Sequence, residues 1–239
     1  MRKINTRLWI RKSHRWVGLL VVLQLLAWTV GGLYFSLIPI SEIRGEHLVK
    51  PPEELTTALV RMAIAPGQLT GIEDQHIEGV ELIPRRGGLY YKVSSESGIR
   101  LFDATTGDES ERISPGEAER IAMSALIDPA EIDAVTYIEH VPRGHEYRGH
   151  ELPAYRIELA SDSGLHLYVS AQTGEVTARR TDRWRIFDFL WMLHVMDYQD
   201  RDDFNHPLLT FAASVALFVL LSGILVWWNS TTLRKQRTR

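Results

Sequence analysis

Two long apolar stretches frame this chain, and between them the hydrophobic positions recur with two shorter periods. Trp16 to Ile38 and Leu208 to Trp228 carry no charged side chain. Each is long enough to cross the roughly 30 Å hydrocarbon core as a helix. In the intervening segment one pattern occurs twice. Pro51-Pro52-Glu53-Glu54-Leu55 opens an apolar-periodic run that ends near Ala65, predicting a helix over 52–65. Alternating runs follow at Ile77–Ile83 and Leu89–Val93, and the first copy closes on Arg100–Gly107. The second copy opens at Ser114-Pro115-Gly116-Glu117, with apolar residues at Ile121, Ala122, Ala125 and Leu126. Ser114 suits an N-cap, Pro115 the first helical position and Glu117 the third, which predicts a capping box and a helix over 115–126. Alternation returns at Ile132–Val141 and Ala154–Leu159, and the copy closes on Leu167–Val176. Period-2 alternation marks half-buried strands. The closing Thr-Gly pairs lie 67 residues apart and read as tight turns with glycine at positive φ. Each copy is thus a helix followed by an antiparallel meander, an α+β unit.

Charge fixes the expected topology. All 30 acidic residues lie between the two apolar stretches, and that segment keeps only 17 of the 27 Lys and Arg residues. The other basic residues flank the outer ends: Arg2, Lys3, Arg7, Arg11, Lys12 and Arg15 before, and Arg234, Lys235, Arg237 and Arg239 after. The positive-inside rule therefore places both termini in the cytoplasm and residues 39 to 207 outside. Trp9, Trp16, Trp227 and Trp228 suit the cytoplasmic boundary, and Tyr34 and Phe35 the outer one. The first stretch is too long for a signal-peptide core, and Gly31 to Phe35 offers no small-residue cleavage site, so an uncleaved anchor is expected. A net charge of −13 on the outer segment disfavours nucleic acid and anionic lipid headgroups as its partners. The absence of cysteine excludes disulfides, thiolate metal sites and covalently attached haem.

The motifs carry a resemblance. "SPGEAERIAMSAL", "AYRIEL" and "LYVSAQTGEV" look like the PepSY domain, and the first copy like a more divergent example. The order "HRWVGLL", apolar stretch, PepSY-like segment, "LHVMDY", apolar stretch resembles the PepSY-associated transmembrane family of bacterial inner-membrane proteins. Ser170 stands where an aspartate is commoner, whereas Asp103 keeps it in the first copy. The expected organisation is a basic terminus (1–15), a first span (16–38), two PepSY-like repeats (48–110 and 111–182), an interfacial helix with an acidic turn (184–206), a second span (207–229) and a basic tail (230–239). The fold class is α+β, with two transmembrane helices flanking a duplicated helix-plus-antiparallel-sheet domain. The resemblance also implies chemistry. Members with four or more spans include haem-containing reductases of iron–siderophore complexes, and PepSY modules elsewhere occur in protease propeptides.

Histidines are the candidate ligands. His14 precedes the first apolar stretch, His47 follows it, and His194 and His206 flank an acidic turn before the second. In relatives with more spans, histidines near helix ends serve as axial haem ligands, which makes His194, His206, His47 and His14 candidates for haem b or a transition metal. The plainer account is interfacial imidazoles bonded to backbone or to Asp197, Asp200, Asp202 and Asp203. His140, His145 and His150 recur at spacing five between two predicted strands. With Glu146 and Glu151 they offer a copper, zinc or nickel site, although that spacing matches no usual zinc motif and favours a solvated hairpin loop. Trp184–Met196 has aromatic residues at helical spacing and predicts a helix at the outer interface, with Asp188 facing water or Arg185. No nucleophile, phosphate-loop or dinucleotide motif is present, so no catalytic residue is assigned.

Three functions stay open: a periplasmic binding or regulatory module for another membrane or periplasmic protein, an electron-transfer accessory, and a metal-handling protein. The lipid bilayer is a partner in each, and a homodimer is compatible with all three.

Overall fold

The computed structural model describes residues 6–72, 76–85 and 87–237, with the side chains of 6–15, 222 and 225–237 outside that description. The class is α+β, helices with antiparallel sheets. The chain forms two compact units, one of residues 40–185 and one combining 1–39 with 186–239.

The unit of residues 40–185 contains two meanders. Strands β1 (Ile77–Arg85), β2 (Gly88–Ser95) and β3 (Gly98–Asp103) form a three-stranded sheet in that order. Strands β4 (Ile132–Ile138), β5 (Ala154–Leu159), β6 (His166–Ser170) and β7 (Val176–Arg180) form a four-stranded one. Neither the alternation nor the turn chemistry had predicted β7.

Helix α4 (Pro115–Ala125) starts where the sequence places it, because Ser114 Oγ accepts the Glu117 N–H at 3.3 Å and Pro115 has no N–H to lose. The Glu117 carboxylate goes to Arg85 at 2.9 Å. Ala118, Ile121 and Ala122 form the buried stripe of α4 and pack on Tyr155, Ile157, Leu167 and Val169.

The helix expected over 52–65 is reduced to one turn, α3 (Thr57–Val60), after a four-residue α2 (Ile40–Ile43). Thr56 caps α3 by accepting the Leu59 N–H at 3.3 Å. The chain cannot continue as helix because the Ile64 backbone is committed elsewhere. Its N–H donates to Ala104 O at 2.8 Å and its carbonyl accepts from the Tyr91 hydroxyl at 2.7 Å. Among the described residues, Leu59, Ala63, Ile64, Ile72 and Leu82 are the partly buried hydrophobic side chains packed on the small core of Leu69, Leu89, Tyr91, Val93, Phe102 and Ala104. Leu55, Val60, Met62 and Val80 stay exposed.

The two sheets close with matching hydrogen bonds. Gly107 N–H reaches Asp103 O at 2.8 Å, and Gly174 N–H reaches Ser170 O at 2.9 Å. Asp103 N–H meets Asp108 O, and Ser170 N–H meets Glu175 O, each at 2.9 Å. Both glycines have positive φ, 85° and 72°. The side chains of Asp103 and Ser170 do the same work, accepting the N–H of Thr106 at 3.2 Å and of Thr173 at 3.1 Å. A Cβ on Gly174 would stand 2.9 Å from Arg85 Nε and 3.2 Å from Ile121 Cδ1. Gly149 has the same φ of 72° and open space around it. Gly174→Ala should therefore cost about 2 kcal/mol or more and Gly149→Ala about 1 kcal/mol, read as thermal midpoints of the full chain in detergent.

The other unit holds α1 (Thr6–Leu37), most of α5 (Asp182–Val195) and α6 (Pro207–Arg237). Within α1, Trp16–Leu37 is 22 residues long and apolar enough to cross a membrane. The described apolar part of α6, Pro207–Leu221, is shorter, and the expected span runs on into residues whose side chains lie outside the description.

Candidate functional site

Helix α5 packs along α1 through aromatic rings. Phe187, Trp191 and His194 meet Phe35 with ring centroids at 4.7, 6.1 and 5.9 Å. His194 also stacks on Trp191 at 6.2 Å and tilts against Trp28 at 6.1 Å. Two α1 side chains hold the end of α5: Trp28 Nε1 donates to His194 O at 2.9 Å and Gln24 Nε2 to Leu193 O at 3.0 Å. His194 is thereby fixed in backbone and ring, and its Nδ1 is buried with no hydrogen-bond partner. A buried polar atom left in that state calls for a reason.

The remaining outer-face candidates stand differently. His206 Nδ1 accepts the Leu208 N–H at 3.2 Å, which leaves Nε2 as its available nitrogen. His47 is exposed on the short 3-10 turn Glu46–Leu48, in the unit of residues 40–185. The His14 side chain lies outside the described residues. Asp197, one expected bonding partner for these histidines, instead accepts the backbone N–H groups of Gln199, Asp200, Asp202 and Asp203 at 3.1–3.3 Å and shapes the acidic turn. Asp188, expected to face water or Arg185, is instead 5% exposed and pairs with Arg201. Arg201, at φ 65°, is held over α5 by the Trp191 indole, which donates to Arg201 O at 3.0 Å.

The segment with three histidines is not a solvated hairpin. It folds back over the face of the four-stranded sheet opposite α4, with Tyr147, Tyr168, Ala154 and Ala178 buried together. Alternation along β5 and β6 explains the two faces: Tyr155, Ile157, Leu167 and Val169 point to α4, and Ala154 and Tyr168 point away. Tyr147 lies between Tyr168 at 4.4 Å and His150 at 5.1 Å. Beside this stack the Glu146 carboxylate accepts from the Tyr168 hydroxyl at 2.6 Å and Arg185 Nε at 2.8 Å, and lies 2.9 Å from His166 Nδ1. Sequence reasoning missed this cluster.

The same segment uses its imidazoles as acceptors. His145 Nδ1 takes the Tyr147 N–H at 3.1 Å, and His150 Nε2 takes Arg180 Nη2 at 2.9 Å. His140 is exposed. Among the described residues no three His, Asp or Glu side chains group as a metal site would need.

These contacts have consequences for titration. Burial and the Arg180 charge push His150 below its ordinary value, with Glu151 opposing. Burial does the same to His145. Burial would raise the Glu146 carboxyl, but the bonds from His166, Arg185 and Tyr168 outweigh it and hold it far below the carboxylate range. In all three the unfolded chain binds a proton more readily than the folded one, so stability falls as pH falls. The histidine contribution is complete above pH 6.5 and is lost as pH falls below it, while that of Glu146 starts to be lost near 4.5 and is gone only far below that. The thermal midpoint should drop between pH 7 and 5, and His150→Gln, which keeps a neutral acceptor for Arg180, should flatten that slope.

An antiparallel α+β unit joined to a membrane-length apolar helix defines the class. The chain matches the PepSY-associated TM region over residues 11–239, and it belongs to that family, a membrane-associated one. No curated protein and no solved structure matches it.

Proposed function

We propose that this is a bacterial inner-membrane protein in which α1 and α6 both span the bilayer and hold a duplicated PepSY module in the periplasm, where it binds or regulates another envelope protein. The paired turns at Gly107 and Gly174 support the duplication. The observation that carries the binding role is the uneven cover of the two cores. In the second half α4 lies over the sheet. In the first, the single turn of α3 leaves Leu55, Val60 and Met62 exposed at 45, 44 and 63%, and Val80 on the edge strand at 41%. Leu55, Val60 and Met62 fall within one short stretch of chain, and exposed apolar side chains that cluster mark an interaction surface more often than scattered ones do. A photo-crosslinking residue at Met62 or Val80, in membranes of the native host, should give a discrete adduct with an envelope protein. The same residue at Ile127, which is 50% exposed in the second half, should not. Equal adducts at all three positions, or none, would refute the reading.

The buried, unpartnered Nδ1 of His194 favours a second reading, an electron-transfer accessory. His194 would supply one nitrogen to a haem b or a transition metal and His206 its Nε2, and the group itself would supply the redox chemistry. A single imidazole walled by Trp28, Phe35 and Trp191 fits such a group only if the ring turns or a second subunit completes the site. Protein purified from its own membranes should then show a Soret band that His194→Ala abolishes and His145→Ala keeps. A colourless preparation leaves the first reading standing alone.

A further inference from the structure

We infer that α5 from Ile186 to its end at Val195 is inserted into the bilayer beside α1, with Ile186 and Phe189 facing lipid acyl chains. This rests on the reading of α1 as a membrane span and goes beyond an interfacial helix. The first support is how α5 ends. The last carbonyls of a helix have no intrahelical partner, and at a water interface solvent takes them. Here Leu193 O and His194 O are taken by Gln24 and Trp28, side chains from within the apolar stretch of α1. A carbonyl in hydrocarbon has no other donor to turn to.

The second support is depth. The contacts pair Phe187 with Phe35, the Leu190 carbonyl with Gly31 and His194 with Trp28, so α5 runs antiparallel to α1 and inward. From Phe35 to Trp28 the rise along α1 is about 10 Å. That carries the end of α5 well below the outer boundary marked by Tyr34 and Phe35.

The third support is the outward surface. Between residues 186 and 195 the exposed side chains are Ile186 and Phe189, at 50 and 53%. The one charge there, Asp188, is buried and paired with Arg201. A helix with apolar faces on every side is suited to a protein core or to lipid. The turn that follows satisfies four of its own N–H groups on Asp197, as a chain reversing near hydrocarbon requires.

The absence of cysteine makes the test direct, since single cysteines can be spin-labelled with no background. The full chain carrying Phe189→Cys, Ile186→Cys, Leu26→Cys or Ser97→Cys is labelled and reconstituted in phosphatidylethanolamine–phosphatidylglycerol vesicles. Relaxation by oxygen, which partitions into lipid, is compared with relaxation by a water-soluble nickel chelate. Positions 189, 186 and 26 should show high oxygen and low nickel accessibility, and position 97 the reverse. High nickel accessibility at 186 and 189 with Leu26→Cys still lipid-exposed would overturn the insertion alone. Low accessibility to both reagents at 186 and 189 would place protein there and overturn the lipid assignment. High nickel accessibility at 26 would overturn the span and the inference together.

Discussion

Replacing Glu146 by alanine is expected to destabilise the protein by about 3–5 kcal/mol, the range for removing one member of a buried charged network. Its carboxylate is the shared acceptor for Tyr168 and Arg185 and lies against His166. Without it the Arg185 guanidinium keeps Asp182, the Gly164 carbonyl and His166 Nδ1, at 2.9, 2.8 and 2.8 Å, but loses its closest buried carboxylate, and Tyr168, fully buried, loses its hydroxyl's acceptor. Glu146→Gln retains an acceptor oxygen and should cost less than half as much. Tyr168→Phe removes a single bond and should cost about 1–2 kcal/mol. Chemical denaturation of the three variants gives the order. A Glu146→Ala loss below that of Tyr168→Phe would mean the carboxylate is not the centre of the network.

Arg201→Ala should be comparably severe, again about 3–5 kcal/mol, because it takes an ion-pair partner from Asp188, whose carboxylate is buried. The double change Asp188→Leu with Arg201→Met should recover most of the loss, since an apolar pair of similar volume often replaces a buried ion pair at no cost. Recovery separates the cost of a buried charge that has lost this pairing from simple loss of packing. A double variant as unstable as Arg201→Ala would show that the Arg201 side chain acts through its contacts and not its charge.

Local periodicity made the strands legible. The alternating runs from Ile77, Leu89, Ile132 and Ala154 all became strands, and Ser114-Pro115 marked the start of α4 within a residue. Aromatic spacing marked α5. What the sequence hid depends on long-range partners. The helix over 52–65 was lost because Ala104 and Tyr91, 40 and 27 positions on, claim the backbone of Ile64. Val49, which the repeat pattern gives to the first half, packs in the core around α4. The histidine-rich segment is polar enough to read as a loop in water, yet Glu146 finds partners 20, 22 and 39 positions away. Asp188 looks toward Arg185 in sequence, but the turn shaped by Asp197 delivers Arg201 to it. No motif of local spacing encodes such meetings.

Every periplasmic role requires residues 39 to 207 to lie across the membrane from both termini, the orientation that the segregation of charge implies. Alkaline phosphatase, which is active only when exported, tests it in living cells. Fused after residue 110 it should be active, and fused after residue 239 inactive. Activity at 239 with none at 110 would contradict the orientation and every periplasmic role built on it.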